Sequence, residues 1–252
     1  MSSGKKRKRL DLLVFERGLA PSRQRAQALI LEGKIFVDGL KAAKAGTPVD
    51  ENAEIKVKGE ELPYVSRGGL KLKEAALHFG VIFEGKTCMD VGVSTGGFTD
   101  YMLQNGAKKV YAIDVGYGQF HYKLRSDPRV VLLEKTNIRY LEREKIPEEI
   151  DLATVDVSFI SLKWVLPVIA SFLKEKGEVL ALVKPQFEVG KGEVDKGGVV
   201  KDEAKRQKAV ESVTEAAKEM GFTHLGTFAS PVPGQKKGNI EYFIYMIKRK
   251  TE

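Results

Sequence analysis

The chain carries two lysines and two carboxylates at positions where a sheet of alternating strands and helices presents reactive groups. Asp156 follows the fourth predicted strand, Lys184 follows the very apolar fifth, Glu241 begins the last, and Lys71 lies on a helix ahead of the sheet. A lysine that ends a buried strand is costly unless it is paired, so we expect Asp156, on an adjoining strand, to pair with Lys184. Singly, each residue could equally form a structural ion pair. Together the four are harder to dismiss as structural, and they are the candidates for acid–base chemistry.

A glycine-rich turn follows the first predicted strand of the sheet. Residues Asp90–Thr99 have the order of strand, tight turn and helix with which an open α/β sheet forms a nucleotide site. The dinucleotide fingerprint is incomplete, because Ser94 takes the place of its second glycine. A carboxylate at Asp90 would repel phosphate, but it would suit a ligand that bears ammonium and sulfonium groups. The turn therefore points to S-adenosylmethionine, with an ordinary strand–helix turn as the alternative.

Further residues extend this predicted cofactor site. The second predicted strand ends in Asp114, roughly 20 residues past the turn, where an acid that binds ribose hydroxyls is expected. Asp90 is expected to face the methionine end of the cofactor, and Asn137, after the third strand, to lie near the adenine. The residues predicted to bind S-adenosylmethionine are Asp90, Gly92, Ser94, Thr95, Gly96, Gly97, Asp114 and Asn137.

Strands and helices alternate through most of the chain. Strands are predicted near residues 86–91, 109–114, 129–133, 151–157, 178–184, 223–229 and 240–248, and the clearest helix near 202–220. Such alternation implies a mainly parallel sheet. No helix separates the last two strands, which predicts an antiparallel pair that closes the sheet, as in methyltransferases. The predicted fold class is α/β, a Rossmann-like class I methyltransferase sheet with a small α+β domain at the N-terminus.

The composition is that of a globular protein without membrane or disulfide features. Of the 252 residues, 42% are hydrophobic and 30% are charged. No apolar run reaches the length of a membrane span, and no signal-peptide core follows the first basic residues. One cysteine, Cys88 in an apolar strand, and three scattered histidines disfavour disulfides and a structural zinc site. We therefore expect a cytoplasmic protein that has no contact with membranes and holds no metal.

Positive charge is concentrated at the N-terminus. The net charge is +8, and residues 1–50 hold 11 Lys or Arg against 5 Asp or Glu, a net +6. A basic module at one end of a chain favours a polyanion, most plainly nucleic acid, although a solubilising tail would also be basic. Residues 1–8 are predicted to be a tail of that kind.

Residues 9–58 predict two short helices, the second capped by Ser22 and ended by Gly33, and then two strands. The characteristic pattern is Arg9-Leu10-Asp11, Gly18-Leu19, Ser22-Arg23, Ala26, Leu29-Ile30, Gly33 and Val37-Asp38-Gly39. It resembles the small RNA-binding module first known from a ribosomal small-subunit protein, here called the S-four module, and so implies binding of folded RNA through phosphates and shape. The residues assigned to RNA are Arg9, Arg23, Arg25, Lys34 and Arg67, although each could instead belong to a solvated face.

The rest of the chain carries five characteristic motifs. They begin at Tyr64-Val65-Ser66-Arg67-Gly68, Asp90-Val91-Gly92-Val93-Ser94, Asp156-Val157-Ser158-Phe159, Lys184-Pro185-Gln186-Phe187 and Gly238-Asn239-Ile240-Glu241. They resemble the TlyA family, also called haemolysin A, whose catalytic part is similar to the FtsJ ribose methyltransferases. The resemblance implies a Lys–Asp–Lys–Glu tetrad, matched by Lys71, Asp156, Lys184 and Glu241. It also implies 2′-O-methylation of cytidine ribose in ribosomal RNA, with ribosomal subunits as partners. We expect Lys184 to contact the 2′-oxygen and to act as, or assist, the general base.

The predicted domains are the tail at 1–8, the S-four module at 9–58, a linker at 59–65 and the methyltransferase domain at 66–248. The Gly- and Lys-rich segment 190–198 could be a mobile lid or an ordinary surface loop. Three other functions compete. A membrane-active haemolysin would need an amphipathic or barrel element that is not evident. A non-catalytic assembly factor would not need an intact tetrad, and a pseudouridine synthase would lack the cofactor-binding sheet.

Overall fold

The computed structural model consists of two compact units, Met1–Glu61 and Leu62–Glu252. The structure describes residues 6–20, 22–42, 44–58, 62–190, 192–195, 197–234 and 239–250. Residues 1–5 of the predicted tail and 59–61 of the predicted linker lie outside the described residues, as do two residues of the 190–198 segment. The first residue of the Gly238–Glu241 motif does as well.

The N-terminal unit is small and mixed α and β. Its elements are β1 (Arg7–Arg9), α1 (Leu10–Glu16), α2 (Arg23–Leu31), β2 (Ile35–Val37), β3 (Leu40–Lys41), β4 (Pro48–Asp50) and β5 (Ile55–Val57). Strands β3, β2 and β5 form one antiparallel sheet, and β1 pairs with β4. The helices bury Leu10, Val14, Leu29 and Ile30 together with Ile35 of the sheet, which makes one apolar core.

The N-cap of α2 and the first strand of this unit bear on two of the predictions. The predicted cap is confirmed, because Ser22 Oγ accepts a hydrogen bond from the Arg25 N–H at 3.1 Å. The predicted tail at 1–8 extends too far, since Arg7 and Lys8 lie in β1 and pair with Asp50 and Val49. Pairing with β4 satisfies the backbone hydrogen-bonding groups of Arg7 and Lys8. A run of basic residues does not by itself predict such a strand.

The C-terminal unit contains the predicted sheet. Its elements are α3 (Arg67–Phe79), β6 (Thr87–Val91), α4 (Gly97–Gln104), β7 (Lys109–Ile113), α5 (Tyr122–Arg125), β8 (Val130–Leu133), β9 (Ile150–Val155), α6 (Leu162–Phe172), β10 (Leu173–Val183), α7 (Pro185–Glu188), α8 (Glu203–Glu219), β11 (Phe222–Ala229) and β12 (Tyr242–Lys248). The strand order is β11-β12-β10-β9-β6-β7-β8. Strand β12 pairs antiparallel with β10 and with β11, and the other neighbouring strands among the described residues pair parallel. The predicted Rossmann-like class, with its closing antiparallel pair, is therefore confirmed.

Helices cover both faces of this sheet. Met89 and Val91 of β6 pack on the face covered by α6 and α8, whereas Cys88 packs on the face covered by α3 and α4. The alternation is that of a strand buried on both sides, and it places the carboxylate of Asp90 on the α4 face. Burial raises the pKa of the Cys88 thiol to about 12. Cys88 is therefore an inert core residue, as predicted.

The strand register brings the predicted site residues to one edge of the sheet. The paired residues at the strand ends are Val91 with Ile113, Val91 with Val155, and Val183 with Tyr242. Asp114, Asp156 and Lys184 come directly after these ends, and Glu241 directly before β12. A doubly wound sheet binds its ligands at this carboxyl edge.

Candidate active site

Lys184 forms the pair that the sequence predicts. Its Nζ lies 2.5 Å from Asp156 Oδ1 and donates a hydrogen bond to Ser158 Oγ at 3.0 Å. The parallel pairing of β9 with β10 makes the two strand ends neighbours. The contact with Asp156 is an ion pair without hydrogen-bond geometry, so the buried Asp156 Oδ1 keeps its capacity to accept a hydrogen bond. The Asp156 carboxylate and the Ser158 hydroxyl thus hold the ammonium group of Lys184 at the sheet edge.

Lys71 and Glu241 form a second and more deeply buried pair. Lys71 Nζ donates to Glu241 Oε2 at 2.6 Å, and the exposed fractions of the two side chains are 10% and 4%. Helix α3 carries Lys71, and Glu241 stands just before β12, whose first residue pairs with the last residue of β10. The four predicted residues therefore occur as two ion pairs, each of one lysine and one carboxylate.

A cavity of about 400 Å³ opens between α3 and the glycine-rich turn. Its lining includes Lys71 and Asp156, one member of each ion pair. The other lining residues are Leu62, Ser66, Arg67, Gly68, Asp90, Gly92, Val93, Ser94, Thr95, Gly97, Phe98 and Pro233. A volume of this size falls within the range of small-molecule sites.

Two glycines of the turn permit close backbone approach beside the cavity. Gly92 has a φ of +87°, and a Cβ there would lie 2.5 Å from the carbonyl oxygen of Asp156. A Cβ at Gly97 would lie 2.7 Å from the backbone nitrogen of Gly69 on α3. Any larger residue at either position would displace backbone that shapes the cavity. Gly96 differs, because it faces Phe120 and does not line the cavity.

Asp90 is fully buried beside the turn. Thr99 Oγ1 donates to its Oδ2 at 2.7 Å, and Thr154 Oγ1 donates to its Oδ1 at 3.1 Å. Desolvation raises the pKa of Asp90 to about 7, although both hydroxyls favour the carboxylate. A buried carboxyl group of this kind is stabilised in its charged form by a nearby cation. Sequence reasoning missed Thr99 and Thr154, since hydroxyl residues are common on a helix and a strand.

Asp114 and Asn137, the other two acidic or amide residues predicted to bind the cofactor, accept hydrogen bonds from the backbone. Asp114 Oδ2 accepts the N–H of Ser94 at 2.7 Å, and its Oδ1 accepts the N–H of Gly116 at 2.6 Å. Asp114 thus fixes the glycine-rich turn from the end of β7. Asn137 Oδ1 accepts the N–H of Arg139 at 3.1 Å and so caps a single helical turn after β8. Neither residue lines the cavity.

Phe159 is a feature that sequence reasoning missed. Its backbone has a φ of +64°, its side chain is 90% exposed, and its ring lies 4.9 Å from that of Phe187, centroid to centroid. A left-handed conformation is costly for a bulky residue and tends to occur at functional sites. The residue directly before it, Ser158, binds Lys184. An aromatic ring is therefore presented to solvent beside the tetrad.

Four of the residues predicted to bind RNA are held around two carboxylates of the N-terminal unit. Asp11 is fully buried and accepts hydrogen bonds from Arg9 at 3.0 and 3.1 Å, from Arg23 at 3.0 Å and from Gln27 at 2.8 Å. Arg9 first, with Gln27 and Arg23, holds the pKa of Asp11 well below its usual range despite its desolvation. The two guanidinium groups stay about half exposed. Asp11 therefore presents two arginines side by side.

Glu32 organises the second cluster. Arg25 Nη1 lies 3.1 Å from its Oε1, and Lys34 Nζ lies 2.7 Å from its Oε2. Arg67 belongs to the other unit, where its Nη2 donates to the carbonyl oxygen of Pro233 at 2.5 Å. The five residues predicted to bind RNA are thus two pairs in the N-terminal unit and one arginine that lines the cavity.

Comparison with known proteins decides the family. Residues 64–248, well over half of the chain, match the model for the FtsJ-like methyltransferase. The chain belongs to the FtsJ-like methyltransferase family. Residues 8–55 of this family member match the S4 domain, the module predicted from its N-terminal pattern.

This FtsJ-like methyltransferase is similar in sequence to the TlyA proteins. It is 48% identical over 242 residues to the 16S/23S rRNA (cytidine-2′-O)-methyltransferase TlyA of Mycobacterium tuberculosis, covering 96% of this chain and 90% of the relative. It is 42% identical to Hemolysin A of Brachyspira hyodysenteriae, covering 95% and 99%. The solved structure of a provisionally named hemolysin from Streptococcus thermophilus matches with a TM-score of 0.75 at 42% identity, covering 98% and 90%. The resemblance to TlyA is confirmed.

The described residues show neither a membrane-spanning helix nor a metal-binding cluster. Within the parts of the chain that the structure describes, no helix combines the length and apolarity needed to cross a bilayer. Among the same residues, no group of three or more His, Cys, Asp or Glu side chains is arranged to hold a metal ion.

Proposed function

We propose that this protein is an S-adenosylmethionine-dependent rRNA (cytidine-2′-O)-methyltransferase. The observation that carries the proposal is the pair of lysine–carboxylate contacts, Lys71–Glu241 and Lys184–Asp156, at a cavity beside the glycine-rich turn. The activity in the name of the M. tuberculosis relative supports the same substrate class. The S4 domain supports an RNA substrate.

The residues around the cavity fit S-adenosylmethionine. Gly92 and Gly97 let the turn pack tightly against Asp156 and α3, and both glycines line the cavity together with Ser94 and Thr95. Asp90, buried at the cavity wall, suits the cationic methionine end. When bound, the cofactor supplies a methyl group already activated by its sulfonium.

The outer part of the same edge is assigned to the adenosine. Asp114 holds the turn through one N–H bond on each oxygen, and each oxygen has a further lone pair for a ribose hydroxyl. Gly96 shapes the turn by packing on Phe120. Asn137 follows β8, the next strand outward, and is assigned to the adenine end.

The tetrad acts on the 2′-hydroxyl of the substrate ribose. Lys184 Nζ, held by Asp156 and Ser158, aligns the oxygen for in-line attack and stabilises the charge that develops on it. In its neutral form Lys184 accepts the hydroxyl proton, and in its ion-paired form it orients the hydroxyl. The buried Lys71–Glu241 pair supplies a second cation, Lys71, to the lining of the cavity that Asp156 also lines.

Recognition of RNA is assigned to both units. Arg9 and Arg23, presented side by side by Asp11, contact phosphates, as do Arg25 and Lys34 around Glu32. Phe159 offers its exposed ring to an unstacked base next to the target ribose. Arg67, at the cavity rim, is assigned to a phosphate near the target nucleotide.

The decisive experiment compares rRNA from cells that express the wild-type protein with rRNA from cells that express Lys184→Ala. Mass spectrometry of nuclease fragments should show ribose-methylated cytidine in the first sample and unmodified cytidine at the same position in the second. The fragments also define which subunit is modified. Cells that lack the gene give the baseline, and rRNA from those cells with the same ribose methylation as rRNA from wild-type cells would remove the proposed function.

A further inference from the structure

Glu188 joins the two chain segments that carry the Asp156–Lys184 pair. It is the last residue of α7, four residues after Lys184. Its Oε2 accepts the hydroxyl of Ser161 at 2.6 Å, and its Oε1 accepts the N–H of Leu162 at 2.8 Å. Both donors belong to the segment that runs from Asp156 to the start of α6. One carboxylate thus clamps the segment after β9 to the segment after β10.

The clamped segments meet at two further points. Ser158 Oγ accepts the hydrogen bond from Lys184 Nζ, and the ring of Phe159 packs on that of Phe187. Residues 156–161 are therefore tethered at Asp156 by strand β9 and at Ser161 by Glu188. Ser158 lies between the two tethers, so its position depends on both.

Capping of α6 accounts for only one of the two bonds, the one from the N–H of Leu162, the first residue of that helix. Ser161 Oγ already accepts the N–H of Lys163 at 3.2 Å and caps the helix. Desolvation raises the pKa of Glu188, in spite of the bonds from Ser161 and Leu162 that favour the carboxylate. Glu188 is thus a partly desolvated acid whose two hydrogen bonds both go to the neighbouring segment.

We propose that Glu188 is a positioning residue for methyl transfer, which holds Ser158 in place so that Lys184 Nζ faces the substrate hydroxyl. The inference rests on the proposed function. Glu188 acts through Lys184 and touches neither RNA nor cofactor. Without the clamp, residues 157–161 gain freedom and Ser158 leaves Lys184, while the cofactor cavity keeps its lining.

Three variants of the full-length protein test this role. In Glu188→Ala, kcat should fall by about 100-fold, the loss expected for a reacting group misplaced by about 1 Å. Its Kd values for S-adenosylmethionine and an rRNA fragment should stay within about twofold, because neither ligand meets Glu188. In Glu188→Gln, kcat should stay within about threefold of wild type, since an amide can accept from Leu162 and donate to Ser161. Glu211→Ala, which removes an exposed carboxylate on α8, is the matched control and should behave as wild type.

The outcomes separate this role from its alternatives. A folded Glu188→Ala protein with wild-type kcat overturns the proposal. So does a Glu188→Gln protein as slow as Glu188→Ala, because the charge rather than the clamp would then matter. If Glu188→Ala does not fold, Ser161→Ala, which removes one of the two bonds, takes its place and should lower kcat by about tenfold. Unchanged turnover in that variant also overturns the proposal.

A crystal structure of Glu188→Ala gives a readout that does not depend on activity. The 3.0 Å contact between Lys184 Nζ and Ser158 Oγ should be lost. A retained contact contradicts the clamp. If the wild-type protein and the Glu211→Ala control fail to methylate rRNA, the proposed function fails, while the crystal structure still decides whether Glu188 positions Ser158.

Discussion

Lys71 Nζ lies 2.6 Å from Glu241 Oε2 across 170 residues of sequence, and both side chains are nearly inaccessible to water. Removal of one partner from such a pair leaves an uncompensated buried charge. We therefore expect Glu241→Ala to lower the free energy of unfolding by about 3 kcal/mol. Urea unfolding of the purified protein measures this loss. A change below about 1 kcal/mol, typical of an exposed pair, would contradict the burial argument.

The double variant Lys71→Met with Glu241→Leu separates stability from function. Apolar residues of similar size can replace a buried ion pair at little cost, so the free energy of unfolding should return to within about 1 kcal/mol of wild type. Methyl transfer should nevertheless be lost, because neither charge of the pair is left at the cavity. Activity near the wild-type level in the double variant would show that the pair is only structural.

Lys184→Ala should preserve the fold and cofactor binding but abolish turnover. Loss of a positioned group that transfers a proton costs roughly 10²–10⁴-fold in rate. Isothermal calorimetry should give the wild-type Kd for S-adenosylmethionine, and radiolabelled methyl transfer to rRNA should report the rate. Lys208→Ala, at an exposed position on α8, is the control. Turnover within about threefold of wild type would remove Lys184 from the reaction.

Asp90 should make the cofactor-free protein less stable as the pH rises. Folding raises the pKa of Asp90 from 3.8 to about 7. Between these values the unfolded chain releases a proton that the folded chain keeps, so stability falls with rising pH and levels off above about pH 7. The full cost is about 4 kcal/mol for a shift of this size. Urea unfolding at pH 4 and pH 8 should show this difference for wild type and a smaller one for Asp90→Asn. Equal differences in the two proteins would show that Asp90 is not the group responsible.

The sheet and the contact between Asp156 and Lys184 could be predicted from sequence because their causes are local. Apolar runs followed by Asp156 and Lys184 mark strand ends, and the topology rules for alternating strands and helices make those ends neighbours. The Lys71–Glu241 pair could not be predicted as a contact. It depends on how helix α3 lies against the last strand, which no pattern within either segment specifies.

Two other features, the contacts of Asp11 and the backbone of Phe159, could not be predicted from the local sequence. Arg9, Arg23 and Gln27 read as basic or polar surface residues, yet all three donate to the buried Asp11. The left-handed backbone of Phe159 could not be predicted from its residue type, because glycine, asparagine and aspartate are the residues that usually adopt that conformation. Tertiary contacts outweigh local preference at both places.

Arg9→Ala and Arg23→Ala should each weaken RNA binding in a salt-dependent way. Each guanidinium that neutralises a phosphate releases counterions, so either variant should reduce the slope of log K against log salt by about 1. Fluorescence anisotropy with a labelled rRNA fragment at several salt concentrations measures this slope. Lys56→Ala, which removes an exposed lysine paired with Glu54 in the same unit, is the control and should leave the slope unchanged. An unchanged slope in both arginine variants would place the RNA elsewhere.

Replacement of Phe159 by glycine should affect the stability of the protein and its activity in opposite directions. Its backbone has a φ of +64° and its ring is 90% exposed, so the conformation costs energy while the ring buries little surface. Glycine adopts that conformation freely, and Phe159→Gly should therefore keep or raise the free energy of unfolding, by up to about 1 kcal/mol. Loss of a ring that stacks on a base costs about 1–3 kcal/mol, so kcat/KM for rRNA should fall by about tenfold or more. Phe159→Trp, which keeps a stacking ring, should retain most of the activity. A stable Phe159→Gly protein with wild-type kcat/KM would show that the exposed ring does not meet the RNA.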